Sequence, residues 1–243
     1  MPNYQGVWSL STQYQYAADW PSPPATAIYA GGYLSGSINV IESVLIVNSG
    51  NTSDFGDLTV ARRFLAGMSS STRGVFAGGG GSASNVIDYV TIATAGNATD
   101  FGDTTAAMDE GYAGGFGSES RGIYAGGYQS STAINNMEYV TIASTGNGTD
   151  FGNLSQARTG NSSGFCSPTR GGLGGGNTGS RVDTIDYVTI ASTGNASDFG
   201  DLTEAKDGVG GTSSSIRGIF AGGFNSGEKT GIEYITIAST GDA

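Results

Sequence analysis

An all-β chain of five like sheets set around one axis follows from three features of this 243-residue sequence. First, one string recurs almost unchanged: YVTIATAGNATDFGDT from Tyr89, YVTIASTGNGTDFGNL from Tyr139 and YVTIASTGNASDFGDL from Tyr187. Second, two markers advance together by about 48 residues, a step typical of propellers, solenoids and arrays. They are Asp-Phe-Gly at Asp54, Asp100, Asp150 and Asp198, and Arg-Gly at Arg73, Arg121, Arg170 and Arg217. Third, the apolar pieces are about 4–8 residues long, bounded by Gly, Ser, Asn or Asp, and none has helical spacing. Together these predict a five-bladed β-propeller of four-stranded antiparallel blades.

Each unit supplies its strands in a fixed order. The innermost is slim and rich in Gly and Ser, as in AGMSSS from Ala66 and GGFGSE from Gly114, which suits the narrow axis of a five-bladed ring. Inner strands are expected near Tyr14, Phe64, Gly111, Asn161 and Gly208. Arg-Gly, an apolar pair and two glycines make the second strand, as in RGVFAGG from Arg73. A varied loop leads to the third, of the type IDYVTIA. Its apolar side chains point both ways, so both of its faces are buried. The turn STGN and the strand DFGDL close the unit. A single domain over 1–243 then holds repeats at approximately 14–59, 64–105, 111–155, 160–203 and 207–238, the last with 7–10. That addition follows because the last unit stops at IEYITIASTGDA, without a closing strand, whereas the first begins with a surplus GVWSL. Trp8 and Leu10 are expected to complete the fifth blade from the N-terminus, and closure hides sheet edges.

The unit resembles the kelch motif. It has the paired glycines (Gly78-Gly79, Gly126-Gly127, Gly222-Gly223), the later tyrosine (Tyr89, Tyr139, Tyr187, Tyr234), and an aromatic followed by Leu and Arg, as in FGDLTVAR from Phe55 and FGNLSQAR from Phe151. Phe55, Phe101, Phe151 and Phe199 stand where kelch usually has Trp. The wording is also similar to kelch-like arrays in tail-fibre and other virion-associated proteins of marine phages. The resemblance implies a propeller and a virion setting.

The formal net charge of −11 disfavours nucleic acid, whose binding needs clustered Lys and Arg, and disfavours an anionic membrane surface. No apolar run approaches the ~20 residues of a membrane helix, and the opening MPNYQGVWSL has neither the basic start nor the apolar core of a secretory signal. A soluble protein without a cofactor is expected. There is no histidine, so Ser-His-Asp and Cys-His catalysis and imidazole-bound zinc are excluded. The single cysteine, Cys166, forms no internal disulfide and aligns with Met68 and Phe116 as a small core residue. Paired carboxylates remain for glycoside hydrolysis, with Asp109, Glu110 and Asp207 opening inner strands, against the plainer reading of solvated turn acids.

The glycine run from Ala77 lacks the following helix and Lys of a phosphate cradle, so it reads as close strand packing. Asn51/Asp54/Asp57 and its repeats offer oxygens at a spacing of three, which suits Ca²⁺. The preferred reading is turn capping, with Asp54, Asp100, Asp150 and Asp198 meeting Arg73, Arg121, Arg170 and Arg217 to fix blade register, and no metal. The sequons at Asn51, Asn97, Asn147, Asn161 and Asn195 are mostly the same turn.

Two loop sets differ between units and emerge on one face: the loop after Gly-Gly and the loop into the next inner strand. Varied loops on a rigid scaffold are where recognition resides. The candidate binding residues are Tyr33, Tyr128, Asn177, Phe224, Asn225, Arg62, Arg63, Arg158 and Lys206. The expected function is non-catalytic binding or structure: contact with a host-surface glycan, a receptor or another virion protein. The alternatives are a multivalent lectin with one sugar pocket per blade and a carboxylate glycosidase.

Overall fold

The computed structural model describes residues 25–48, 50–81, 84–108, 114–160 and 164–243. Its strands form five antiparallel sheets in a ring, a five-bladed β-propeller. The first blade holds β1 (Thr26–Ala30), β2 (Val40–Leu45) and β3 (Ser53–Asp57); the second β4 (Ala66–Ser69), β5 (Arg73–Ala77), β6 (Ser84–Thr91) and β7 (Thr99–Met108). The third holds β8 (Gly114–Gly117), β9 (Arg121–Ala125), β12 (Asn136–Thr141) and β13 (Thr149–Asn153), with a small hairpin, β10 (Tyr128–Gln129) and β11 (Thr132–Ala133), on its loop. The fourth has β14 (Gly164–Cys166), β15 (Arg170–Gly174), β16 (Thr184–Thr189) and β17 (Ser197–Asp201), and the fifth β18 (Gly210–Ser213), β19 (Arg217–Ala221) and β20 (Ile232–Thr236). The expected closure by Trp8 and Leu10, and the positions Tyr14, Asp109, Glu110, Gly111 and Asn161, lie outside the described residues. Among those residues no helix is long and apolar enough to cross a membrane.

The Asp-Phe-Gly marker is a β-bulge. In the second blade Ile87 faces Gly102 and Asp88 faces Asp100, leaving Phe101 as the extra residue; the third and fourth blades repeat the shift. A bulge twists its strand and re-aims one side chain. Here it sends Phe101, Phe151 and Phe199 into the core, edge-on to Tyr89, Tyr139 and Tyr187. Asp100 and Asp198 cap the bulge, each accepting from the amide of the glycine two residues on. The glycine takes φ near +145°, a conformation that side chains rarely adopt (Gly102 +146°, Gly200 +144°).

The recurring turn is explained by what lies beside it. The amides of Gly96 and Ala98 donate to the carbonyls of Phe55 and Asp57 in the preceding blade, and Asn97 Oδ1 accepts from the Asp57 amide at 3.1 Å. Gly146, Asn147 and Gly148 make the same three bonds to the second blade's outer strand, and Gly194, Asn195 and Ala196 to the third's. At the last turn Asp242 replaces the asparagine and accepts from the Asp201 amide. Each of these turns therefore extends the neighbouring blade's DFG strand. Slight desolvation and the charges of Asp183, Asp198 and Asp242 hold the Asp201 carboxyl above the usual aspartate range.

The Arg-Gly marker joins blades at mid-depth. A Cβ at Gly122 would lie 2.8 Å from Met68 Sδ, and one at Gly218 2.9 Å from Phe165 Cβ, so these glycines receive the inner-strand side chain of the preceding blade. The motif arginines do not meet the motif aspartates, which corrects the expected pairing. Arg73, Arg121, Arg170 and Arg217 stack on Tyr89, Tyr139, Tyr187 and Tyr234 at 4.3–5.0 Å. The first three also donate to the carbonyls of Ile142, Ile190 and Ile237 in the next blade. A guanidinium over an aromatic ring, with its edge free for a carbonyl, serves as tie and filler at once.

Inner strands touch backbone to backbone: a Cβ at Gly115 would sit 2.7 Å from the Gly67 carbonyl oxygen, which is why they are Gly- and Ser-rich. Cys166 is packed, partly buried, against the core, but not at the position expected of it. Phe165 takes the position of Met68 and Phe116 and is buried, whereas Cys166 follows it, partly buried beside Ser213. Cys166 lines a recess of about 450 Å³ at one axial mouth with Ser69, Gly117, Ser167, Pro168 and Ser214.

Candidate binding face

The two varied loop sets emerge at the opposite end of the blades from the STGN turns, and a line of buried cations fixes them there. Arg62 carries its backbone on the first blade, with Gly32 N donating to its carbonyl and its own amide donating to Ile38 O. Its guanidinium enters the second blade, donating to Gly78 O, to Val86 O and to Asp88 Oδ2 at 2.5 Å. Asp88 also accepts from Thr59 N and Oγ1. Arg158 repeats this between the third and fourth blades, with Gly175 O, Thr184 O and Asp186. Lys206 does so between the fourth and fifth, with Glu233. Arginine faces aspartate, and the shorter lysine faces the longer glutamate.

The junction of the second and third blades solves the same problem without a cation. Met108 takes the arginine's place and is buried. The facing Glu138 accepts instead from Thr105 N and Oγ1, Asn136 Nδ2 and the Tyr124 hydroxyl. Tyr124 occupies the position of Phe76, Leu173 and Phe220, and of Tyr29 in the first blade; at the junction lacking the cation it supplies a phenol to Glu138.

Arg62, Arg158 and Lys206 are thus 0–1 % exposed and do not offer themselves to a ligand, which corrects their assignment to the binding surface. Burial lowers the pKa of both arginines and the facing aspartates oppose that; a guanidinium stays charged even so. Burial raises the Glu233 carboxyl, but the hydrogen bonds from Lys206 and Thr203 outweigh it and hold its pKa below the usual glutamate range. A depressed folded pKa stabilises the fold above the unfolded value of about 4.3 and is lost as pH falls through the folded one. Glu233→Gln is therefore expected to narrow the stability gap to the native protein from about pH 5 downward, as read by thermal midpoints. A gap that stays constant with pH would contradict the pairing.

The remaining candidates do lie on the face. Tyr33 is exposed and Phe224 largely so; Tyr128, Asn177, Asn225 and Arg63 are half-buried. The loops differ in sequence but share a frame. Tyr33, Asn177 and Phe224 each bridge the residue four further on, closing small hairpins, and Ser35, Gly179 and Ser226 take positive φ at the tips. The loops at Gly80, Asn177 and Phe224 are also bridged to the crossing segment of the preceding blade: Arg63 to Gly80, Thr159 to Asn177 and Asp207 to Phe224.

Two arginine–aromatic stacks stand on this frame. Arg181 lies 4.6 Å over Phe224 and pairs with Asp207 at 3.2 Å, and Asn177 Nδ2 also reaches Asp207. Asp207 is therefore engaged in an ion pair with Arg181; Asp109 and Glu110 lie outside the described residues. Arg63 lies between Tyr33 and Phe64, at 5.1 and 5.4 Å from the ring centres. Leu34, Phe64 and Arg181 belong to the face and were absent from the expected set. Among the described residues no group of three or more His, Cys, Asp or Glu side chains is placed to hold a metal. No protein-family model and no curated protein sequence matches this chain.

Proposed function

We propose that the protein is a non-catalytic binding propeller whose varied-loop face contacts a host-surface glycan, a receptor or another virion protein. One observation carries the reading: a single equivalent position after the paired glycines is filled by Tyr33, Gly80, Tyr128, Asn177 and Phe224, while the opposite end of the blades repeats almost letter for letter. A scaffold held constant beneath side chains that differ is the arrangement of a recognition surface. It disfavours a lectin with five like pockets, which would repeat its pocket residues. The virion setting rests on the resemblance to kelch-like arrays of phage tail-fibre proteins. With net charge −11, recognition draws mainly on shape, aromatic stacking and neutral hydrogen bonds.

A glycan array combined with pull-down from host and virion extracts tests this. Tyr33→Ser, Tyr128→Ser and Phe224→Ser together are expected to lower binding at least tenfold with little change in thermal midpoint. Substitutions in the axial-mouth turns, such as Ser120→Ala, are expected to leave it unchanged. Binding lost through the mouth and kept in the face variant would place recognition at the other end.

A further inference from the structure

We infer that the face holds one built acceptor for a carboxylated saccharide, made by Tyr33, Leu34, Arg63 and Phe64; this rests on the binding reading above and narrows it. The first observation is backbone strain. Phe64 has φ +59°, in the left-handed region that bulky side chains avoid. The equivalent residues at the third and fourth crossings are Gly160 and Gly208, with φ +102° and +63°. Those two crossings meet the left-handed backbone with glycine; the second has Glu110, outside the described residues, and the first carries a bulky phenylalanine in that conformation. Strain retained at an exposed position points to function.

The second observation is what the strained ring does. With Tyr33 it holds the Arg63 guanidinium between two aromatic faces, and Tyr33, Leu34 and Phe64 are 65 %, 75 % and 41 % exposed. Arg63 has no ion pair among the described residues, whereas Arg62, Arg158 and Arg181 each face an aspartate. A stacked guanidinium keeps its in-plane N–H fork free and oriented, which matches a carboxylate bidentately. On the other side of the face the same kind of stack is closed by the chain's own Asp207. At Arg63 no carboxylate among the described residues closes the stack, which leaves the fork for one from a ligand.

The third observation selects the carrier. The Tyr33 loop is already hydrogen-bonded within itself, Leu34 N to Gly36 O, and the Arg63 segment is bridged to Gly80 on both sides. Among the described residues no strand edge is left there for an extended peptide to join. Four side chains are also far short of the roughly 800 Å² per partner of a stable protein interface. A sugar ring needs only an exposed apolar platform and a few oriented donors, and a uronic or sialic acid adds the carboxylate.

The test is titration of the full chain with uronate- and sialate-bearing oligosaccharides, their methyl esters and a Glu-rich peptide. At least one acid sugar is expected to bind, and its ester at least tenfold more weakly. Arg63→Gln is expected to weaken binding at least tenfold. Phe64→Gly, which places there the residue of the third and fourth crossings, is expected to weaken it similarly while the thermal midpoint holds or rises, so lost binding is separable from lost folding. Absence of acid-sugar binding, equal binding by the esters, or tighter binding of the peptide would overturn the inference. Neutral-sugar binding sensitive to Tyr128 and Phe224 but not to Arg63 would overturn it while leaving the wider face reading intact.

Discussion

Arg158→Ala is expected to remove about 3–5 kcal/mol of folding stability, the cost of stranding one member of a buried ion pair. Asp186 is 1 % exposed, and with the arginine gone it keeps only Ser155 as a partner. The carbonyls of Gly175 and Thr184 lose their donor as well. For a chain of this length the loss corresponds to a fall in thermal midpoint of about 10 °C. The third-blade junction shows how the same space is filled without a cation, which supplies a rescue. Arg158→Met with Asp186→Glu, Leu173→Tyr and Thr184→Asn copies the Met108, Glu138, Tyr124 and Asn136 arrangement. That set is expected to recover at least half of the loss. A single variant that melts like the native protein would mean that the buried cations do not join the blades.

Gly102→Ala is expected to cost about 3 kcal/mol or more, from strain at positive φ and from collision. Gly102 has φ +146°, and a Cβ there would lie 2.6 Å from the Gly146 carbonyl carbon and oxygen of the next blade. The other side of that contact is a built-in control. A Cβ at Gly146 meets nothing within 4 Å, so Gly146→Ala is expected to change stability by no more than about 0.5 kcal/mol. Chemical denaturation of the two variants separates a bulge that must admit the neighbouring turn from a general intolerance of alanine. Equal effects would remove the physical reason given for the repeated glycine.

The features legible in the sequence were those written several times over. The strand order, the slim inner strands and the position of Phe101, Phe151 and Phe199 in the core all follow from periodicity and residue type. The partners of the markers were harder to read, because they lie in other blades. Asp100 and Arg121 look like an ion pair when repeats are stacked as text, yet the aspartate caps its own bulge and the arginine lies on Tyr139. Arg62, Arg158 and Lys206 look like surface charges because each sits in a polar loop. The signal for their burial was present as a covariation inside the chain: Arg with Asp, Lys with Glu, and Met108 only where Tyr124 and Asn136 accompany Glu138. Phe64 was misplaced for a similar reason. It reads as the start of an inner strand until it is aligned with Gly160 and Gly208, which places it where those two crossings take positive φ.

Amide hydrogen exchange tests most directly whether each blade's turn is a structural part of its neighbour. The amides of Gly96, Gly146 and Gly194 sit in surface turns but donate to Phe55 O, Phe101 O and Phe151 O of the preceding blade at 2.7–2.8 Å. Those of Asp57, Asp103 and Asn153 sit at blade edges and donate to Asn97, Asn147 and Asn195. All six are predicted to exchange as slowly as Val75 and Ile123 in the second strands, opening only with the whole ring. Exchange at the rate of a free turn, with the second strands still protected, would show blades that stand side by side without the stitching inferred here.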